Sequence, residues 1–343
     1  MLVLAGDVGG TKTALAMAEV GPRSLSILRT RRYRSREWPG LEAIVEDFLE
    51  NERARPRAAA FGVAGPVRGG SAKVTRLPWS VEERPLALRL RPARVVLIND
   101  FVAAALGLPR LSPRRLAVLL PGRPESGGPI GLIGAGTGLG QAALLRTGHG
   151  SLVLPSEGGH ADFGPRDDRE DRLVAFLRGR YGRVSRDRIL SGEGLGDIYD
   201  FLALERRRPA PPTLARALAS GDRAAAISRF ALAGRDPVCR EALSLFVSIY
   251  GSEAANVAIQ YQATGGIFLA GGIAPKILPA LRWPVFRESF RAKPPMEEFL
   301  AKIPVRVVLD PHLPLLGALG EAYRIAIETT RRRSKTTLRR RSL

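Results

Sequence analysis

Three apolar segments of this chain each lead directly into a glycine-rich turn, and this arrangement restricts the fold more than any other feature of the sequence. The segments are LVLAGDVGGTKTALAMAEV at residues 2–20, IGLIGAGTGLGQAALL at 130–145 and IFLAGGIAPKIL at 267–278. Short apolar runs that end in glycine predict buried strands. The first two segments share the order strand, glycine turn and strand-like exit, so they form a weak internal repeat.

The first turn predicts a phosphate-binding loop that is not a P-loop. It consists of Gly6, Asp7, Val8, Gly9, Gly10 and Thr11. The next residues are Lys12 and Thr13, so the glycine that precedes the lysine of a P-loop is missing. We expect a hairpin whose backbone N–H groups face a phosphate, with glycines that allow close approach and positive φ. Residues 12–20 fit a helix or an antiparallel strand. Asp7 could reach a hydrated Mg²⁺.

The second turn, at residues 134–138, spaces its glycines like a dinucleotide fingerprint. No clear helix of a dozen residues follows it, and no acidic partner for a ribose is evident, so the fingerprint is weak. The third turn, Gly271 and Gly272, predicts a helix with Pro275 near its first turn. A nucleotide packed against a helix start would fit there.

Asn99 and Asp100 end the apolar run RVVLIND and precede an alanine-rich stretch that predicts a helix. Ligand crevices of α/β sheets lie at the carboxyl ends of strands. A carboxylate there can accept a proton from a substrate hydroxyl, and Asn99 can bind a second hydroxyl. The alternative is that Asp100 only caps the helix.

Glu157 and His160 flank a diglycine in the segment PSEGGHADF. A carboxylate accepts hydrogen bonds and a neutral imidazole both donates and accepts, which suits a polyol with neighbouring hydroxyls. A zinc site is disfavoured, because His160 has no second histidine nearby and Cys239 is the single cysteine.

With these motifs in place, residues 2–325 resemble the sugar kinases of the actin, Hsp70 and hexokinase superfamily, and within it the bacterial glucokinases that are not of the ROK type. The motifs that carry the resemblance are GDVGGTK and GAGTGLG for phosphates, LIND for the catalytic base, PSEGGHADF and VSRDRILSG for the sugar, and FLAGGI for adenosine. The resemblance implies a two-lobed ribonuclease H-like (actin/hexokinase) α/β fold, with a duplicated mixed-sheet core and a helical insertion in the large lobe.

The resemblance also implies an activity and a set of site residues. The activity is the ATP-dependent, Mg²⁺-assisted phosphorylation of D-glucose to glucose 6-phosphate, the entry step of glycolysis. Asp100 would be the general base, and the sugar would contact Asn99, Asp100, Glu157, His160 and Asp187. Residue 187 is a glutamate in the family, and the shorter aspartate could leave a water between carboxylate and sugar. ATP would contact Gly6, Asp7, Val8, Gly9, Gly10, Thr11, Gly136, Thr137, Gly138, Gly271 and Gly272, and Asp7 would bind Mg²⁺ through water.

We expect three regions along the chain. Residues 1–110 form a small α/β lobe, and a helix at 314–330 packs back on it. Residues 111–313 form a large α/β lobe with the sugar loop, the adenosine site and a helical insertion at about 167–262. Residues 331–343 form a basic, disordered tail with seven cations and no acid.

The net charge of +20 is the unusual feature of the composition. Arginines are spread along the chain and are not clustered with aromatics, so we expect no specific nucleic-acid binding, only weak binding of polyanions by the tail. No run reaches the length of a membrane span, the start lacks a signal peptide, and one cysteine excludes a disulfide framework. A cytoplasmic protein is expected, and a homodimer is compatible with the sequence.

Three other functions stay open on the sequence. A kinase for another hexose or an amino sugar would share the same motifs, and only the sugar loop and Asp187 bear on it. A sugar- or ATP-responsive regulator would not need Asp100 as a base. The charge alone would also fit a nucleic-acid-binding protein.

Overall fold

Two antiparallel hairpins, each extended by parallel strands, form the centres of two units of the chain. The computed structural model describes residues 1–22, 24–52, 54–148 and 150–341. One unit comprises Met1–Leu111 with His312–Leu343, and the other comprises Ser112–Pro311. The sequence placed these boundaries after residues 110 and 313.

The first unit combines a central sheet, a small three-stranded sheet and helices. Its strands are β1 (Leu2–Val8), β2 (Lys12–Val20), β3 (Leu25–Arg34), β4 (Ala58–Val63), β5 (Val67–Arg68), β6 (Ser71–Lys73), β7 (Ser80–Glu82) and β8 (Arg94–Asn99). Its helices are α1 (Leu41–Leu49), α2 (Glu83–Arg89), α3 (Asp100–Gly107) and α13 (Leu313–Arg341), with 3₁₀ turns at Ser35–Glu37 and Leu108–Arg110.

The second unit has a larger sheet and a mostly helical insertion. Its strands are β9 (Leu116–Leu120), β10 (Ile130–Ala135), β11 (Leu139–Thr147), β12 (Gly150–Ser156), β13 (Gly266–Ala270) and β14 (Val305–Val308). Its helices are α4 (Asp168–Tyr181), α5 (Arg186–Ile189), α6 (Gly192–Glu205), α7 (Pro212–Ala219), α8 (Arg223–Leu232), α9 (Pro237–Gln260), α10 (Leu278–Leu281), α11 (Pro284–Arg291) and α12 (Glu297–Lys302), with 3₁₀ turns at Pro113–Arg115 and Gly158–His160.

The central sheets of the two units have the same topology. Within the described residues, one sheet has the order β3-β2-β1-β4-β8 and the other the order β12-β11-β10-β13-β14-β9. In the first sheet, β1 pairs antiparallel with β2 and parallel with β4. In the second sheet, β10 pairs in the same way, antiparallel with β11 and parallel with β13. Strand β9 extends the second sheet by pairing antiparallel with β14. The weak sequence repeat therefore corresponds to a duplicated strand order.

Helix α13 packs on the first sheet through small side chains. Alanines on β1, β2 and β4 are buried against Leu315, Leu319 and Ile325 of the helix. Because alanine side chains are short, the helix can lie close to the sheet. Helix α3 also packs on α13, and a Cβ at Gly317 would collide with the carbonyl oxygen of Ala103. The position of α3 is thus set by a contact that only glycine permits.

Helix α9 is the core helix of the second unit. Its side chains pack with those of α6, α8 and α11 and with strands β10 and β13. Although the sequence showed no obvious span, α9 is the one described helix long and apolar enough to cross a membrane by length and composition. The most apolar window of α9 is 78% buried, as expected for a core helix.

The structure decides one alternative that the sequence left open and differs from two local predictions. Residues 12–20 form the antiparallel strand β2, which settles the choice left open for this exit. Residues 271–277 form turns, so the predicted helix start at Pro275 is wrong and α10 begins only at Leu278. The backbone of residues 331–341 continues α13, where disorder was expected, since extending an existing helix costs less than nucleating one. Residues 342 and 343 lie outside the described residues.

The close contact between α3 and α13 gives a stability prediction. Gly317→Ala should lower the free energy of unfolding by about 1–3 kcal/mol, because the new methyl group overpacks the interface. Gly179→Ala is the matched control: this glycine lies in α4 with open space where the methyl would go. It should be neutral or stabilise by up to about 1 kcal/mol. Urea denaturation of both variants measures this, and equal stabilities would contradict the packing argument.

Candidate active site

Asp100 is the first residue of α3, and Asn99 is the cap of that helix. The Asn99 Oδ1 atom accepts from the backbone N–H groups of Phe101 at 2.9 Å and Val102 at 3.2 Å. The Asp100 carboxylate is partly exposed and also accepts from Phe101 N. The helix cap therefore does not depend on Asp100, which removes the main argument for a purely structural role.

The amide of Asn99 has a fixed orientation. Its Nδ2 donates to the carbonyl oxygen of Gly65 at 3.1 Å, while its Oδ1 is engaged by the cap. An amide nitrogen carries two hydrogens, so one N–H remains beyond the bond to Gly65. Any sugar hydroxyl bound by Asn99 would accept from that N–H.

Asp7 and Asp100 interact across a glycine gap. In the sheet register, Asp7 lies beside Gly62 and Gly62 beside Ile98, two residues before Asp100. A Cβ at Gly62 would lie 3.6 Å from the Cα of Asp100. Burial and the nearby Asp100 carboxylate raise the pKa of Asp7 to about 7, against a smaller lowering by Arg32. The first unit thus holds two mutually repelling carboxylates at the carboxyl end of its sheet.

Arg32 completes this group, and the sequence analysis did not identify it. Strand β3 places Arg32 beside Ala14, which in turn lies beside Asp7, so all three share one face of the sheet. The Arg32 guanidinium lies 2.8 Å from Nε2 of His312, just before α13. No local motif indicates Arg32, because its place depends on the pairing of three strands.

The first glycine turn is tied to the following segment. The Gly9 N–H donates to the Lys12 carbonyl at 3.0 Å, and the Ser35 hydroxyl donates to the Gly9 carbonyl at 2.7 Å. The N–H of Gly9 is therefore not available to a phosphate. A Cβ at Gly10 would come within 2.5 Å of the Thr75 carbonyl oxygen. The glycines of this turn lie outside the positive-φ region, so close approach explains Gly10 better than the expected positive φ does.

The second and third glycine turns contact each other in the second unit. Strands β10 and β13 are parallel, so both turns lie at one edge of the sheet. The Ile273 N–H donates to the Ala135 carbonyl at 3.2 Å. Gly271 has φ of 79°, and a Cβ there would come within 2.5 Å of the same carbonyl oxygen. The Gly192 N–H, at the start of α6, donates to the Gly136 carbonyl, so the helix beside this turn is α6.

The three predicted sugar ligands of the second unit lie together. The Nε2 atom of His160 is 3.8 Å from the Glu157 carboxylate, and its Nδ1 is 3.4 Å from the Asp187 carboxylate. Asp187 also accepts from the Ser185 hydroxyl. A Cβ at Gly138 would lie 3.8 Å from Oδ2 of Asp187. The segment that carries Asp187 therefore lies beside the second glycine turn.

The diglycine of the sugar loop is needed for packing. A side chain at Gly159 would collide with the Leu139 carbonyl oxygen, and one at Gly158 would collide with the Gln141 side chain. The Gly158 N–H donates to the Ser156 hydroxyl at 3.0 Å. The loop therefore lies flat on β11, and Glu157 and His160 remain exposed.

Comparisons with known proteins find glucokinases that match most of the chain. The family model described as Glucokinase matches residues 4–324. A glucokinase of Nostoc sp. is 39% identical over 340 residues, covering 94% of this chain and 99% of the relative. The crystal structure of a glucokinase from an Antarctic psychrotroph superimposes with a TM-score of 0.82 at 30% identity, covering 94% of this chain and 99% of that one.

A more distant structure shares the fold. The glucokinase from Balamuthia mandrillaris, solved in complex with glucose, has a TM-score of 0.79 at 22% identity, with 94% of this chain and 93% of that chain covered. The predicted actin/hexokinase-type α/β fold is confirmed by these structures together with the duplicated strand order.

The Asp7 carboxylate gives a pH prediction. With its pKa raised from 3.8 to about 7, Asp7 keeps a proton in the folded state that the unfolded chain releases at lower pH. Its contribution to stability is therefore greatest below about pH 4 and is lost as the pH rises towards 7 and above. Asp7→Asn removes this loss, so its stability relative to wild type should increase between pH 4 and 8, by up to about 1.4 kcal/mol per pKa unit.

Urea denaturation of the two proteins across this pH range, without nucleotide or divalent cations, gives the difference directly. Titrations of groups that do not interact with Asp7 cancel in that difference, whereas Asp100 and Arg32 interact with it. A difference that stays constant from pH 4 to 8 would show that Asp7 ionises like an exposed aspartate.

Proposed function

The chain belongs to the glucokinase family and is therefore a hexose kinase that phosphorylates glucose with ATP, and we propose that Asp100 is the general base of this reaction. Asp100 would accept the proton of one glucose hydroxyl as that oxygen attacks the γ-phosphate in line. The observation that carries this proposal is that two different residues cap α3 and present a carboxylate at its start. Asn99 caps the helix, and a partly exposed carboxylate follows it.

The charges around Asp100 support its role. Asp7 lies close enough to couple electrostatically to Asp100, and Arg32 lies on the same sheet face as Asp7. A base must be ionised at the start of the reaction, and repulsion between the two carboxylates favours only one of them holding a charge. Burial is the largest cause of the raised pKa of Asp7, so a proton on Asp7 relieves this repulsion.

Glucose would be held by the predicted sugar ligands. Glu157 and Asp187 would accept from hydroxyls, His160 could donate or accept, and Asn99 would donate its remaining N–H. His160 lies between the two carboxylates of this group, at 3.8 and 3.4 Å. The short side chain of Asp187 is engaged with Ser185 and His160, so a water could complete its contact with the sugar.

ATP would bind along the glycine turns. The adjacent turns of the second unit, with Gly136, Thr137, Gly138, Gly271 and Gly272, would bind the nucleotide, and the turn from Gly6 to Thr11 would contact its phosphates. Thr11 and Thr137 are exposed and carry hydroxyls that can donate to phosphate oxygens. Because Gly9 donates to Lys12, the contribution of the first turn would come from its other N–H groups.

The residues present fit a Mg²⁺ ion held mainly by substrate and water. The described residues contain no group of three or more His, Cys, Asp or Glu side chains suited to a metal. Asp7, whose negative charge is disfavoured by burial and by Asp100, would gain from a nearby cation. This matches the preference of Mg²⁺ for few carboxylates, phosphate oxygens and retained waters. When bound, the ion would neutralise charge on the phosphates, with Asp7 holding it through water.

Substrate range, oligomeric state and location stay predictions. A related hexose or amino sugar as the preferred substrate would be served by the same ligands, and a non-catalytic regulator would not need Asp100 as a base. A cytoplasmic location fits a kinase that uses ATP. The homodimer and the weak polyanion binding of residues 331–343 are not needed by the mechanism.

The role of Asp100 is tested by Asp100→Asn. Asparagine keeps the size of the side chain but cannot accept the proton, so kcat should fall by about 10²–10⁴-fold. Glucose affinity, measured by calorimetric titration, should change little, since the amide can still contact a hydroxyl. A variant with the kcat of wild type would show that Asp100 is not the base.

The sugar site is tested by Asp187→Ala and Asp187→Glu. The alanine variant should raise KM for glucose by roughly tenfold, within the 1–3 kcal/mol of a hydrogen bond to a charged group, and leave kcat nearly unchanged. The glutamate variant should match wild type or lower KM. A panel of glucose, mannose and N-acetylglucosamine should show the highest kcat/KM for glucose. Equal values for the three sugars would contradict the assigned ligands.

A further inference from the structure

A buried carboxylate beneath the sugar loop has no part in the site described above. Glu253 lies in the middle of α9, and only 5% of the residue is exposed. Burying a charge is costly unless it is paired and hydrogen-bonded, so such a residue needs an explanation in the structure around it.

The Glu253 carboxylate is satisfied by three side chains from three segments. Its Oε1 accepts from Gln141 Nε2 at 2.7 Å and from Arg186 at 2.8 Å. Its Oε2 accepts from Asn256 Nδ2 at 2.7 Å, one turn along the same helix. The carboxylate therefore joins β11 and the start of α5 to the core helix of the unit.

Arg186 connects Glu253 to the sugar ligand Asp187. Arg186 precedes Asp187 in the chain, and its guanidinium is the group that Glu253 binds. Its backbone N–H donates to the carbonyl oxygen of Ala161, the residue after His160. The side chain of Arg186 is only 18% exposed. Loss of Glu253 would therefore leave a largely buried positive charge without this carboxylate, which is costly. A single arginine thus links the carboxylate to both loops that carry sugar ligands.

Gln141 connects Glu253 to the other end of the sugar loop. It lies opposite Ser156 in the pairing of β11 with β12, just before Glu157. Its Nε2 is held by Glu253, which turns its buried Oε1 towards Gly158, where an added side chain would collide with that oxygen. The Oε1 atom has no hydrogen-bond partner among the residues that the structure describes. The fixed amide therefore limits how far the backbone after Glu157 can move inward.

We propose that Glu253 is a positioning residue for sugar binding, which acts through Arg186 and Gln141 to hold the loops of Asp187 and of Glu157 and His160 in one arrangement. The inference rests on the proposed role of these three residues as sugar ligands. Of the three sugar ligands, Asp187 depends most on Glu253 for its position. Its short side chain can compensate for a backbone shift less than the longer glutamate of the family can. The network thus supports the position where this chain departs from its family.

The test compares two glutamates of the same helix. Glu253→Gln keeps the shape and one oxygen acceptor but removes the charge that holds Arg186. We expect a roughly tenfold weaker affinity for glucose and a similarly raised KM, within the range of couplings between contacting residues. The KM for ATP should stay unchanged, and kcat should change by less than about threefold, because Glu253 bonds Gln141, Arg186 and Asn256, none of which is proposed to bind ATP or to accept the proton.

Glu241→Gln is the matched control. Glu241 also lies on α9 and also binds two arginines, Arg169 and Arg206, but neither of them precedes a sugar ligand. It should leave glucose affinity at the wild-type value. Equal losses in both variants would show a general effect of removing charge from α9 and would overturn the proposal.

A double-mutant cycle with Asp187→Ala separates the possible failures. If Glu253 acts through Asp187, Glu253→Gln should weaken glucose binding at least about twofold less in the Asp187→Ala background than in wild type. Full additivity would overturn the proposal. If Asp187→Ala alone leaves glucose affinity unchanged, the assignment of the sugar ligands itself fails. If that variant weakens binding but Glu253→Gln does not, only the role of Glu253 fails.

Arg186→Gln keeps the test decisive if Glu253→Gln does not fold. It removes the contact between Arg186 and Glu253 by changing the arginine. The hydrogen bonds from Gln141 and Asn256 to the Glu253 carboxylate remain. Thermal unfolding identifies the variants that are folded at the assay temperature. Arg186→Gln should also raise KM for glucose without adding fully to Asp187→Ala. Wild-type glucose affinity in the folded Arg186→Gln protein would refute the linkage.

Discussion

Parallel pairing between the first strand of each hairpin and a later strand is the constraint on which the candidate site residues of each unit depend. Strand β1 pairs with β4, and β10 pairs with β13. Since parallel strands end at the same edge of a sheet, each glycine turn is brought beside the loop of its neighbour. In the first unit β4 also pairs parallel with β8, and the two pairings together bring Asp7 near Asp100. In the second unit the pairing brings Ala135 against Gly271.

Several glycines make these approaches possible by leaving out a side chain. Gly62 opens the space across which Asp7 and Asp100 interact, and Gly317 lets α13 pack closely on α3, the helix that carries Asp100. Gly159 lets the sugar loop lie on β11. Positive φ is required at Gly271, where the third turn meets the second. Close packing therefore requires glycine at positions both inside and outside the sequence motifs.

Two carboxylates of this strongly basic chain, those of Asp7 and Glu253, lie in different electrostatic surroundings. A net charge of +20 favours the pairing of carboxylates with arginine, as Glu253 is paired with Arg186. Asp7 is the exception, since burial and Asp100 raise its pKa to about 7 in spite of Arg32. This difference agrees with the proposed roles: one carboxylate supports the sugar loops, and the other is prepared to meet a cation.

The sequence by itself determined the local parts of this protein. The turn motifs, Asp100 at a strand end, the sugar loop and the long helices α4 and α9 depend on neighbouring residues, so spacing and composition could predict them. Tertiary structure decided the rest. Residues 12–20 form a strand because β1 and β3 lie on either side, and Arg32, Gly62 and Glu253 gain their partners from segments far apart in the chain. Such contacts follow from strand register and helix packing, which a local pattern does not specify.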